Sequence, residues 1–148
     1  MINDWDKRFA EFAFLEAKKS ADNGGLPIGS VLARGDKIIA SGHNQRVQRG
    51  DPIAHGEMDC LRNAGRQKTY ADTTLYTSLS PCMMCAGTIV QFKIPRVVIN
   101  DTQNFGGNED FLRQNSVEVI DIAHADSIAQ MKKFIADNPA LWDEDIME

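Results

Sequence analysis

His55, Cys82 and Cys85 are the side chains with which this sequence could hold a metal, and Glu57, two positions after His55, is the carboxylate best placed to serve it. One imidazole and two thiolates make three ligands for zinc, whose catalytic sites leave the fourth tetrahedral position to water. Cys82 and Cys85 are i and i+3, which puts both on one face of a helix. Two thiolates cancel the charge of Zn²⁺, so such a centre tolerates a dry pocket. Zinc lowers the pKa of water to about 7. Glu57 is not needed to complete the ligand set, and its chemistry is that of a proton carrier, first as general base and then as general acid. The pattern points to a hydrolase with one Zn²⁺ per chain.

Each half of the pattern has other readings. Cys82-x-x-Cys85 alone also fits a structural zinc or a thiol redox pair. A zinc-stabilised binding module would have no use for Glu57, and one zinc per chain would exclude the redox protein. Cys60 lies five residues past His55, about 140° around a helix of 3.6 residues per turn. It reads as a small buried hydrophobe. His43 and His124 read as loop or surface histidines, and Met83 and Met84 as pocket wall or core.

The elements that must position these groups follow from periodicity and breakers. Residues 4–20 read as a helix whose apolar positions are Trp5, Phe9, Phe12, Ala13 and Leu15, stopped at Asn23-Gly24-Gly25. Residues 28–34 and 37–41 form a hairpin across Gly35-Asp36. A polar loop over 42–52 precedes a helix at 53–64, which carries His55 and Glu57 near its start. A strand at 73–78 leads through Ser80-Pro81 into a helix at 82–92. Strands at 96–100 and 117–120 and helices at 109–114, 127–136 and 139–146 complete the chain. His55-x-Glu57 and Cys82-x-x-Cys85 both open helices, where free N–H groups and the macrodipole favour thiolates. Alternating strands and helices imply an α/β fold: a three-layer α/β/α sandwich whose five-stranded sheet is mixed only at the first hairpin.

The 148 residues are the size of one domain, 1–148, and 43% hydrophobic content suffices for one core. Three cysteines give no disulfide framework. A net charge of −5 disfavours nucleic acid, whose binding is driven by Lys and Arg, and favours a small substrate. The polar N-terminus and the absence of an apolar run of about 20 residues suggest a cytosolic protein without a membrane segment.

His55-x-Glu57 and Pro81-Cys82-x-x-Cys85 together resemble the H-x-E…P-C-x-x-C signature of zinc nucleobase deaminases. Over nearly its whole length the chain resembles the fungal-type cytosine deaminases, within the cytidine deaminase-like superfamily. The likeness is carried by Gly24-Gly25-Leu26-Pro27-Ile28-Gly29, Gly42-His43-Asn44, His55-Gly56-Glu57, the stretch 72–82, Ile94-Pro95-Arg96 and the tail Trp142-Asp143-Glu144-Asp145-Ile146. The resemblance implies hydrolysis of the exocyclic amine of a free base, with cytosine giving uracil and ammonia. Glu57 then takes a proton from water and passes it to the ring nitrogen, and the same carboxyl protonates the leaving amine. The resemblance further implies that Asn44 bonds the ring carbonyl and the adjacent N–H, and that the Gly56 N–H meets the same carbonyl. Asp145 accepts from the amine, and Phe105, Trp142 and Ile28 sandwich the ring under a terminal-helix lid. It also implies a homodimer.

Fungal members carry an acidic residue where Met83 stands, and Val47, Asp51 and Pro52 also depart from the family pattern. Such changes leave the reaction type intact and bear on which base is taken. The alternative is a guanine or other amino-heterocycle deaminase. A tRNA adenosine deaminase comes after it, because the acidic chain and tail suit an anticodon stem-loop poorly.

Overall fold

Strand-to-helix alternation gives a sheet with helices on both faces, and the computed structural model describes residues 2–148 of it. The elements in chain order are α1 (Asp4–Asp22), β1 (Gly29–Arg34), β2 (Lys37–His43), α2 (Arg46–Arg49), α3 (Gly56–Ala64) and β3 (Thr74–Thr77). They continue with α4 (Met83–Gln91), β4 (Arg96–Ile99), α5 (Glu109–Gln114), β5 (Glu118–Asp121), α6 (Ala125–Asp137) and α7 (Pro139–Ile146). The sheet order is β2-β1-β3-β4-β5. β1 runs antiparallel to both β2 and β3, and β3, β4 and β5 are parallel. The reversed strand is therefore the inner strand of the hairpin, and its antiparallel pairing extends into β3.

Alternation along the strands sends side chains to two cores. Leu32, Leu75, Val97 and Ile99 pack with Cys60, Leu61, Ala86 and Ile89 of α3 and α4. Val31, Ala33, Tyr76 and Val98 pack with Phe9 and Ala13 of α1. A third cluster, of Leu26, Ile28, Leu79, Met131 and Trp142, seats α6 and α7 near one end of the sheet. These layers are the three-layer α/β/α sandwich.

The buried face of α1 is Asp6, Phe9, Ala10, Ala13, Ala17 and Ser20. Trp5, Phe12 and Leu15, expected on that face, are exposed instead. The helix lies too close to β1 for large side chains: a Cβ on Gly29 would come within 2.4 Å of both Ala13 O and Ala17 N. Small residues at i and i+4 win the interface over bulkier neighbours. Asp6 caps the helix start with Asn3 and accepts from Arg96 Nη1 (2.8 Å), Arg96 Nη2 (2.6 Å) and Tyr76 Oη (2.6 Å). One buried carboxylate thus ties α1 to β3 and β4. Among the described residues no helix is long and apolar enough to cross a membrane.

The polar loop expected over 42–52 contains the one-turn helix α2, closed by Gly50 in the left-handed region at φ 61°. The next helix begins at Gly56, three residues later than expected, because His55 is its extended N-cap. Cys82 likewise caps α4 in place of opening it.

Candidate active site

The site forms where β3 ends and α4 begins, the edge at which α/β sheets place their ligands. His55 (φ −67°, ψ 161°) and Cys82 (φ −70°, ψ 175°) both have extended backbones at helix N-caps. Neither side chain caps its own helix. The ligand atoms of His55, Cys82 and Cys85 all lie within 4.8 Å of one another. His55 Nδ1 is 3.5 Å from Cys82 Sγ. A tetrahedral zinc with ordinary Zn–N and Zn–S lengths sets such a pair about 3.6 Å apart. The donor set fits zinc in type and spacing.

The strand-to-helix turn carrying Cys82 is held from several sides. Ser80 N–H donates to Asp101 O (2.9 Å), and the Ser80 hydroxyl donates to the Glu109 carboxylate. Asn108 Nδ2 donates to Pro81 O (3.0 Å), so the start of α5 braces the turn. Gly29 N–H donates to Ser78 Oγ (2.9 Å). α3 is seated on β2 by close approach: a Cβ on Gly42 would lie 2.5 Å from Cys60 N. Asp59, buried, accepts from His43 N–H (3.1 Å) and Gln45 Nε2.

Electrostatics follow from burial. The hydrogen bond from Cys85 pulls the Cys82 thiol down to about 4 against the cost of burial, with His55 adding to it. Cys85 is pushed well up by its hydrogen bond to the Cys82 thiolate and by burial. Burial, with the Cys82 charge beside it, raises Glu57 to about 7 against the pull of His55. For His55 burial acts downward, but its bond to Cys82 and the nearby carboxylates leave it raised.

A narrow pocket opens onto this centre, lined by Ile28, His55, Glu57, Leu79, Ser80, Cys82, Phe105, Asp145 and Ile146. Of the residues expected to hold substrate, Ile28, Phe105 and Asp145 line it. Trp142 stands behind Phe105, edge to face at 6.0 Å, in the α7 cluster. Asn44 is fully buried beside the cavity wall's Asp145: its Nδ2 donates to Asp145 Oδ1 (3.1 Å), and its Oδ1 accepts from Arg46 N–H (3.0 Å). Gly56 is the first residue of α3, and a Cβ there would lie 3.1 Å from Ile28 O. Burial raises the Asp145 carboxyl, while His55, Asn44 and Arg46 oppose the rise.

Cys60 is fully buried, points its thiol at Ala40 O (3.6 Å) and stands apart from the metal cluster. His43 Nδ1 meets Asn44 O, and His124 caps α6 and pairs with Glu11. Met83 is 56% exposed, so it is neither pocket wall nor core; its position at the first residue of α4 turns it outward. Leu79, Ser80 and Ile146 also line the pocket; they lie in the stretches that carry the family resemblance, though no sequence signal gave them a substrate role. Arg46 carried none at all.

Comparison with known proteins agrees with this geometry. Residues 3–101 match the family described as the cytidine and deoxycytidylate deaminase zinc-binding region. The chain is 47% identical over 146 residues to the cytosine deaminase of Candida albicans, covering 97% of each. It is 38% identical over 118 residues to a tRNA-specific adenosine deaminase of Buchnera aphidicola, covering 78% of this chain and 74% of that one. Among solved structures, a tRNA wobble-position deaminase superposes with TM-score 0.75 at 27% identity, covering 84% of this chain and 99% of the other. The guanine deaminase of Nitrosomonas europaea shares the fold alone, with TM-score 0.78 at 18% identity over 92% of this chain and 86% of that one.

Proposed function

The chain belongs to the cytidine and deoxycytidylate deaminase zinc-binding family, and from that premise we propose that it hydrolyses the exocyclic amine of a free nucleobase, cytosine before others. The observation that carries the reading is Asp145, a buried carboxylate lining the same small cavity as His55, Glu57 and Cys82. Beyond the lone pairs that face Asn44 and Arg46, the Asp145 carboxylate keeps others with which to accept hydrogen bonds from an amine. The net charge of −5 and the acidic run Asp143-Glu144-Asp145 on α7 speak against an anticodon stem-loop.

His55, Cys82 and Cys85 would hold the zinc, which when bound supplies an activated water. Glu57, buried between those ligands, takes a proton from the attacking water and delivers it to the ring nitrogen. It then takes the remaining proton from the added hydroxyl and passes it to the amine, so that the carbonyl forms as the C–N bond breaks and ammonia leaves. Burial raises the Glu57 carboxyl above its ordinary range, which eases its uptake of a proton. Ile28 and Phe105 bound the ring from the cavity wall, with Trp142 stiffening Phe105. Asn44 still has one N–H and one lone pair for the ring's carbonyl and N–H, since its other pair is committed to Asp145 and Arg46. The Gly56 N–H, in the unpaired first turn of α3, donates to the same carbonyl. Residues 1–148 act as one catalytic domain, working in the cytosol. A homodimer belongs to the same proposal and is tested by sedimentation equilibrium.

Ammonia release from a panel of free bases, nucleosides and tRNA tests the reading. Cytosine should be the best substrate, with uracil as product. Turnover of nucleosides but not bases would overturn it, and preference for guanine would move it to the amino-heterocycle alternative.

A further inference from the structure

Arg46 is a buried cation that the reaction does not use. Its side chain is only 7% exposed, and burying an uncompensated guanidinium is costly. Its compensation comes from three directions. Nη1 lies 3.7 Å from Asp145 Oδ1 and Nη2 lies 3.9 Å from Glu144 Oε1, both on α7. Nε donates to Pro52 O at 3.4 Å, in the loop that leads to His55. Its backbone N–H donates to Asn44 Oδ1. Asp145 Oδ1 therefore faces Asn44 Nδ2 on one side and the guanidinium on the other.

The turn that carries Arg46 is itself anchored. Gln48, two residues on, donates from Nε2 to Ser20 Oγ and to Asn44 O, both at 3.0 Å. It lies so close to Gly25 that a Cβ there would come within 2.2 Å of it. α2 is thus pinned against the end of α1, and Arg46 reaches from a fixed platform. On the other side, α7 carries Asp143, Glu144 and Asp145 and is held by Trp142 and Ile146 in the third cluster. Among the described residues, Arg46 is the basic side chain that pairs with α7.

We propose that Arg46 is a positioning residue: it aims the Asp145 carboxylate at the substrate amine and latches α7 over the cavity. The inference rests on the deaminase reading for its substrate, and on the ion pairs alone for its latch. Arg46 touches no reacting atom and acts through Asp145. A guanidinium suits the task because it serves two carboxylates and a carbonyl at once from one rigid plane.

The test compares Arg46→Met, Arg46→Lys, Asp145→Asn and the double variant Arg46→Met/Asp145→Asn, all as zinc-loaded full chains. Arg46→Met should raise KM for cytosine about 10- to 100-fold, the usual weight of a group that orients a functional side chain, with kcat changed less. Zinc should stay at one per chain. Arg46→Lys should restore part of the loss. In the Asp145→Asn background the same Arg46 change should add little, because its route to the substrate is already cut. Amide exchange across 139–146 should speed up in Arg46→Met whether or not a base is turned over.

Effects of the two changes that multiply in full would overturn the proposal, as would unchanged KM and unchanged α7 exchange in Arg46→Met. If Arg46→Met does not fold, Arg46→Lys against the parent carries the same two measurements. A parent protein inactive on every free base would sink the substrate reading, while the exchange measurement would still decide the latch.

Discussion

Asn44 Nδ2 donates to Asp145 Oδ1 at 3.1 Å, joining two residues 101 positions apart in a buried hydrogen bond. The bond brings the loop after β2 to the terminal helix, beside the cavity that also holds Glu57. It spends one carboxylate lone pair and leaves others for a substrate amine. Asp145→Ala should therefore lower kcat/KM for cytosine by about 10- to 100-fold, since a hydrogen bond to a charged group is worth roughly 1.5–3 kcal/mol. Far-ultraviolet circular dichroism and zinc content should match the parent. An unchanged rate constant would reduce α7 to packing.

In the proposed reaction Glu57 differs from Asp145 in what it must do, since it has to give up and regain a proton. Glu57→Gln keeps the volume and a polar end but cannot shuttle. Turnover should fall by at least about 10²-fold, the low end for a lost acid–base group. Zinc should remain at one per chain because His55, Cys82 and Cys85 are untouched. Ammonia release alongside metal analysis checks both halves, and appreciable residual turnover would remove Glu57 as proton carrier.

The metal centre was legible because its signal is local: a Cys-x-x-Cys pair after Pro81 and a His-x-Glu pair each start a helix. The layers were legible because strands alternate with helices along the chain, and the crossovers this requires cover both faces of the sheet. α2 was not, because Arg46–Arg49 is a single turn held by Gln48 and Arg46 through contacts with α1 and α7 that no spacing encodes. The α1 face was misread for the opposite reason. Large apolar residues at Trp5, Phe12 and Leu15 outweigh Ala13 and Ala17 in any hydrophobicity count, yet the close approach at Gly29 admits only the small ones. The reach of β1 into β3 was hidden as well, since a hairpin does not say which of its strands lies inward.

Cys60 gives a control on the metal assignment. It is buried five residues past His55, with its thiol on Ala40 O and outside the ligand cluster. A serine hydroxyl can make the same bond to Ala40 O. Cys60→Ser should keep one zinc per chain and parental turnover, and should cost only stability, about 1 kcal/mol as for a modest core change. Denaturant midpoints with metal analysis report this. Loss of zinc would show that the helical-face argument had placed Cys60 wrongly.

Asp6 offers a test of the fold by pH. Burial alone would raise its carboxyl, but the bonds from Arg96, Tyr76 and Asn3 hold it below its ordinary 3.8. The unfolded chain therefore takes up this proton first as the solution is acidified, and stability from this group rises with pH. The contribution is complete above pH 3.8 and is lost as pH falls through the lower folded value. Asp6→Asn should cost about 3 kcal/mol at neutral pH, the low end for breaking a buried pair, because Arg96 retains some solvent. Urea midpoints of parent and variant measured from pH 7 downward should stay apart until about pH 4 and converge below it. A gap that stayed constant into acid would mean that the Asp6 charge contributes nothing to joining α1 to β3 and β4.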